Sequence, residues 1–170
     1  MEEGLNLEGI CVRIRLLEHK DRNKIETIMS EYPLQFPKFI IEKYPARWSE
    51  FLDIAKVTKE DAYYVAIDSN NDILGHAGYL FNDELGLYEI VGVVVKKGVQ
   101  RQGIGLALMS TICNKVKKMN EKEIILYTLG HVGNEDTIKF YNHIGFDEVA
   151  YEKDFFTMDY HRVTFIKTFS

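Results

Sequence analysis

The chain predicts an α/β (α+β) fold of about seven strands and four helices, and three features of its pattern carry that expectation. Residues 90–95 are a short β-branched run interrupted by one glycine, the signal of a buried strand. From Gly103 the spacing becomes helical, with Ile104, Leu108, Met109, Ile112, Val116 and Met119 at steps of three and four. Residues 63–95 hold three strand patterns divided by turn residues, which reads as an antiparallel meander.

The elements follow in order. Residues 10–17 alternate Ile10, Val12, Ile14 and Leu16 against Cys11, Arg13 and Arg15, a first strand. Residues 19–32 read as a helix with Ile25, Ile28 and Met29 on one face, closed by Pro33 and Pro37. Residues 39–57 form a second helical region, interrupted near Pro45 and rich in aromatics. Its Tyr44, Trp48 and Phe51 either pack a helix pair on the sheet or line a substrate pocket. Residues 63–68 and 73–81 are the second and third strands. The turn between them, 68–72, begins like a calcium loop but carries Ile73 where glycine is required, so a plain hairpin is expected. Residues 87–95 are the fourth strand, 103–119 the third helix and 123–129 the fifth strand. Residues 134–143 form a short helix capped by Gly145, and strands at 148–155 and 160–169 close the chain.

At 170 residues the chain is expected to form one domain, 1–170, with 46% hydrophobic residues as in ordinary globular proteins. The net charge of −5 argues against a nucleic-acid partner, and no apolar run approaches a membrane span. The opening Met1-Glu2-Glu3-Gly4 is unlike a signal peptide, and Cys11 and Cys113 read as reduced core thiols, so a cytoplasmic protein is expected. The five histidines show no metal-ligand spacing with each other or with the cysteines, and no metal is expected. No Gly-x-Ser-x-Gly elbow is present.

The most chemical stretch is the loop between the fourth strand and the third helix. The first N–H groups of a helix lack intrahelical partners and sit at its positive end, so they suit a pyrophosphate. Gly103 and Gly105 would let a phosphate approach the backbone. The loop is not a Walker loop, since Gly105 is followed by Leu106 and Ala107, and it lacks the third glycine of a dinucleotide fingerprint.

What remains, Gln100-x-x-Gly103-x-Gly105 after a hydrophobic strand, resembles the acetyl-CoA signature of the GNAT superfamily of N-acetyltransferases. The segment with Asn134, Phe140-Tyr141 and Gly145-Phe146 resembles that family's second signature. The order of elements matches the family along nearly the whole chain. Two positions depart from it: Lys97 stands where the family often has proline, and Thr137 where it often has alanine. The resemblance implies a central mixed, mostly antiparallel sheet whose fourth and fifth strands splay apart. It implies acetyl-CoA as cosubstrate and transfer of its acetyl group to a primary amine in a ternary complex. The alternative is an acetyl-CoA-binding module without catalysis. Lysines, protein N-termini and small amines remain equal candidates as acceptor, and a homodimer stays open.

The same resemblance implies the site. Pyrophosphate would rest on the backbone of Gln100, Arg101, Gln102, Gly103, Ile104, Gly105 and Leu106. The pantetheine arm would run beside Val93, Val94 and Val95, with the Val93 N–H facing the acetyl oxygen. Strand alternation would set Glu89 on one face with Val91, Val93 and Val95, and an apolar setting there would suit a general base. Otherwise Glu89 is an exposed strand-end carboxylate. Tyr141 is the candidate acid for the leaving thiolate, or a core tyrosine, or both. Asn134 would bond the pantetheine, or else cap the helix after it. Asp154 and Asp159 flank Phe155, Phe156 and Met158 in the last hairpin, a tip expected to face the acceptor and to attract a cation.

Overall fold

Strand alternation and helical spacing organise the chain around a single eight-stranded sheet. The computed structural model describes residues 4–7, 10–53, 61–100, 103–130 and 133–170. The strands are β1 (Gly4–Leu7), β2 (Ile10–Leu16), β3 (Asp61–Ile67), β4 (Ile73–Asn82), β5 (Leu87–Val95), β6 (Glu123–Gly130), β7 (Asp147–Thr157) and β8 (Tyr160–Thr168). Their order across the sheet is β1-β2-β3-β4-β5-β6-β8-β7, and among these pairs only β5 and β6 run parallel. The sheet is therefore mixed and mostly antiparallel. It gains one strand over the expected seven, because Gly4–Leu7 pairs with β2.

The helices are α1 (Arg22–Ser30), α2 (Lys38–Ile41), α3 (Tyr44–Asp53), α4 (Ile104–Lys118) and α5 (Glu135–His143). A 3-10 turn, His19–Asp21, leads into α1. Its Asp21 is buried and receives two bonds from the Arg15 guanidinium, at 2.7 and 3.0 Å. The expected second helical region divides into α2 and α3, with Pro45 in the first turn of α3, where a missing N–H costs nothing. Ile54 and Val57, once expected to extend it, lie outside the described residues, as do Arg101 and Gln102.

Apolar residues on the two faces of the sheet build two cores. On one face α4 buries Ile104, Leu108, Met109, Ile112 and Val116 against Ala62, Leu74, Tyr79 and Ile124. On the other, Ile25, Ile28 and Met29 of α1 and Trp48 of α3 pack on Tyr63, Val65 and Ile67. Cys113 lies inside the first core, but Cys11 is exposed, on the strand face opposite Val12. It is not the core thiol expected from its apolar neighbours.

The sheet is broken in one consequential place. The register between β4 and β5 shifts by one residue, so that β5 carries an extra residue around Gly92, whose φ is +66°. A Cβ at Gly92 would stand 2.8 Å from the Tyr44 ring and 2.9 Å from the His76 ring, so space and backbone angle both demand glycine. One slipped residue flips every later side chain to the other face. Val91 faces the α1–α3 core while Val93 and Val95 pack toward α4. This corrects the simple alternation: Glu89 shares a face with Val91, not with Val93 and Val95.

A bulged strand bends and twists. β5 pairs with β6 only from Tyr88 to Ile90, opposite Ile124 to Leu126. β6 stays paired with β8 as far as Gly130, so it is β5 that departs, and the two strands fork.

His76, fully buried, holds the bulge. Trp48 can only donate, and its Nε1 lies 3.1 Å from His76 Nε2. That nitrogen must accept, so Nδ1 carries the proton and donates to the Gly92 carbonyl at 2.7 Å. Burial keeps the ring neutral and pushes its pKa down to about 4, against the opposing pull of the Gly92 bond and of Asp21. An unfolded histidine titrates near 6.5, so below about pH 6.5 only the unfolded chain takes up this proton. Native stability should fall by roughly 3 kcal/mol as pH drops from about 6.5 to about 4. His76→Phe strands the Trp48 N–H and the Gly92 carbonyl. It should cost roughly 2–4 kcal/mol at pH 7.5 in urea unfolding, with a flatter loss on acidification. A variant profile parallel to wild type would show that His76 is not the source of the acid sensitivity.

Candidate active site

Two clefts flank the fork. The larger, about 660 Å³, is lined by Val93, Val94 and Val95 on one side and by the start of α4 on another. Gly103 is the N-cap of α4, with φ +83°, and no side chain caps the helix. The first α-helical bond runs from the Ala107 N–H to the Gly103 carbonyl, so the N–H groups of Ile104, Gly105 and Leu106 have no intrahelical partner. These donors meet the cleft at the positive end of a 15-residue helix. Gly105 is helical and needs no unusual angle; its own role is space, since a Cβ there would lie 3.3 Å from the Phe140 ring.

The backbone of β5 supplies the facing wall. The Lys96 N–H reaches across to Leu74 of β4. By alternation the N–H and C=O of Val95, and of Val93 before it, point the other way, into the fork. The Val95 carbonyl accepts a 2.6 Å bond from the Tyr32 hydroxyl, which in turn accepts from Gln100 Nε2 at 2.7 Å. Gln100 Oε1 accepts the Gly98 N–H at 2.7 Å. The Gln100 side chain thus braces the loop and leaves its backbone to a ligand.

The second cleft, about 380 Å³, opens beside Glu89. It shares Gln35, Val93 and Tyr141 with the first, so the two clefts meet at the fork. Glu89 is half-buried and accepts a 3.2 Å bond from Asn82 Nδ2. Desolvation raises its pKa above that of a free glutamate, and the Asn82 bond and the charges of Arg47, Lys43 and Arg162 only partly offset the rise. An exposed strand-end carboxylate is not what the structure holds.

Tyr141 is buried, its ring 5.5 Å from Phe165 and 6.0 Å from Phe146. Burial, and to a lesser extent Tyr44, holds its hydroxyl pKa well above the ordinary phenol value, so the proton stays on. Packing residue and cleft wall are one and the same here. Asn134 stands elsewhere than expected. At 2% exposure it lines neither cleft, and its amide donates to the Leu129 carbonyl and, at 3.3 Å, to Thr128 Oγ1. It occupies the N-cap position of α5 without a side-chain cap bond. Its amide ties α5 to the end of β6 beyond the fork.

The β7–β8 hairpin tip does face the second cleft, but through Phe155 and Phe156, not through its acids. Asp154 Oδ1 accepts the Asp159 N–H at 2.7 Å and lies 3.6 Å from His161, so it is used within the hairpin. The charges that line the cleft are Lys43, Arg47, Arg162, Glu84 and Glu89. Sequence reading missed these cations because they come from α3, its approach and β8, distant in the chain. The His76–Trp48 clamp was missed for the same reason.

The model of the acetyltransferase (GNAT) family matches residues 25–146. No curated protein matches the chain by sequence. Among solved structures, a GNAT-family protein from Desulfovibrio desulfuricans is similar at TM-score 0.79 and 19% identity, covering 92% of this chain and 98% of that one. Spermidine N-acetyltransferase from Vibrio cholerae, solved with CoA and spermine, is similar at TM-score 0.72 and 14% identity, with 92% and 95% covered. A GNAT-family acetyltransferase from Staphylococcus aureus Mu50 follows at TM-score 0.70 and 17% identity, with 94% and 99% covered. At these identities the likeness shows the shared fold.

The surroundings of Glu89 are open to direct measurement. In a carboxyl-carbon NMR titration its midpoint should lie above that of an exposed glutamate. Asn82→Ala and Arg47→Met should each raise it further, because both partners favour the charged form. A wild-type midpoint at or below the ordinary value would show that desolvation does not dominate.

Proposed function

The chain belongs to the acetyltransferase (GNAT) family, and from that premise we propose that it moves an acetyl group from acetyl-CoA to a primary amine by direct transfer in a ternary complex. Residues 1–170 act as one catalytic domain. The observation that carries this reading is the meeting of two clefts at the fork. One offers helix N-terminal donors and open strand backbone, and the other offers a desolvated carboxylate.

The residues fit acetyl-CoA as substrate. Its pyrophosphate matches the open N–H groups of Ile104, Gly105 and Leu106, and its pantetheine amides match the outward backbone of Val93 and Val95. Glu89 takes a proton from the acceptor ammonium, directly or through water. The freed amine attacks the thioester carbonyl, and the Val93 N–H donates to the oxygen as it becomes negative. Collapse breaks the C–S bond and forms the amide as the nitrogen sheds its second proton to solvent, and the departing thiolate takes the Tyr141 proton, which solvent restores. A raised Glu89 pKa makes it a stronger base than an ordinary carboxylate. Burial keeps the Tyr141 proton in place until a thiolate forms beside it, while making the phenol a weaker acid.

The two roles separate experimentally. Glu89→Gln should lower kcat by roughly 10²–10⁴-fold with acetyl-CoA affinity near wild type. The acid limb of the wild-type kcat/KM profile, set by deprotonation of Glu89, should lie above the range of a free carboxylate and vanish in the variant. Unchanged kcat in a chemistry-limited assay would remove Glu89 as base. Tyr141→Phe keeps the ring packing, so turnover should drop while the melting temperature holds.

CoA binding has its own readout. At about 100 times its Kd, CoA should stabilise the protein by about 2.7 kcal/mol, a melting shift of roughly 5–10 °C. Gly105→Glu, checked first for folding, places a carboxylate at the phosphate site and should lose that shift. A folded Gly105→Glu protein still stabilised by CoA would contradict the phosphate-loop reading.

A further inference from the structure

We infer that the acceptor is a small amine that also carries an acidic oxyanion, an amino-acid-like molecule, and that Arg47 and Lys43 bind the oxyanion. The proposal rests on the acetyl-transfer reading for assigning the second cleft to the acceptor; the charge argument is separate from it.

Lys43, the residue before α3, and Arg47, in the first turn of α3, both line the cleft beside Glu89. Neither has a carboxylate within ion-pair distance among the described residues. The third cation, Arg162, already has a counter-ion: its Nε and one terminal nitrogen lie 2.8 and 2.7 Å from the same oxygen of Glu152. Glu89 accepts from Asn82, and Glu84 is exposed on the turn between β4 and β5. Glu89 couples electrostatically to both cations but pairs directly with neither, so Lys43 and Arg47 are held at the cleft without a direct ion pair.

They are also held in place. The Arg47 guanidinium lies 5.2 Å from the Tyr44 ring centre, and the Lys43 ammonium 5.8 Å from that of Phe156. Such aromatic support, with a hydrogen bond from Arg47 to the Tyr44 hydroxyl, limits their freedom. A guanidinium fork matches the two oxygens of a carboxylate, phosphinate or phosphonate. Desolvation, and after it the charge of Arg47, lower the Lys43 pKa, with Glu89 opposing; a bound oxyanion would favour the charged ammonium. The cleft, about 380 Å³, has the volume of a small-molecule site. A polyamine would bring further positive charge to two cations that have no direct ion pair.

The test uses matched pairs of amines, with and without the acid group: amino acids against their amides and decarboxylated amines, and aminoalkyl phosphonates against the parent amines. CoA release is measured for each with the wild type, Arg47→Met and Lys43→Met, all confirmed folded by melting. Wild type should prefer the acid-bearing member of each pair by roughly tenfold or more in kcat/KM, the worth of a charge-assisted hydrogen bond. In Arg47→Met that preference should fall toward one through KM, while the KM for acetyl-CoA holds. Carboxylate and phosphonate series show which oxyanion fits.

Equal use of both members, preference for the acid-free amine, or an Arg47→Met loss equal for both would overturn the inference. Calorimetry of the same acids with CoA present separates the two readings. Arg47-dependent binding without turnover would overturn the transferase reading and leave the oxyanion site standing. Absence of binding to every acid would overturn the oxyanion site alone.

Discussion

The bulge at Gly92 is the constraint on which the rest of this structure depends. One extra residue in β5 turns its later side chains over and ends its pairing with β6 after Ile90. Without that break the sheet would continue closed, and the backbone of Val93 would be spent on β6. The bulge is held from behind by a neutral histidine that bonds at both nitrogens, to Trp48 and to the Gly92 carbonyl. A buried polar network of this kind is costly if half satisfied and specific if complete. Here both ring nitrogens are used, so the fork has a defined position.

The fork also explains how one short strand serves two chemistries. Before the bulge, Glu89 faces the α1–α3 side and sits in a cleft whose desolvation favours its neutral form. After it, Val93 and Val95 turn their side chains toward α4 and their backbone into the gap. The carboxylate and the start of α4 thus approach a common point, at Val93 and Tyr141, from different clefts. Three nearby cations moderate the pKa of Glu89 without forming an ion pair with it, which leaves the carboxylate able to exchange a proton.

Much of this was legible in the chain. The Gly103-x-Gly105 turn, the helical spacing after it and the Gly145 cap all rest on local rules, and each stands where local rules put it. Local rules were less reliable where neighbours decide. Period-two alternation placed Glu89 with Val93, and the bulge separated them. Asn134 has the residue type of a cap, yet its amide turns back to the Leu129 carbonyl. The acidic hairpin tip suggested a site for a cation, but Asp154 is engaged within the hairpin and the cleft presents arginine and lysine instead.

By itself the sequence determined the order of the main elements and the glycine-opened start of the long helix, because these depend on residue spacing and on backbone groups close in the chain. Only the tertiary structure decided where β5 leaves β6, which face Glu89 occupies, how far its carboxyl is desolvated and which charges surround it. Those properties arise from His76, Trp48, Lys43, Arg47 and Arg162 converging from separate elements. Their effect falls off within a few ångströms and cannot be read from positions tens of residues apart.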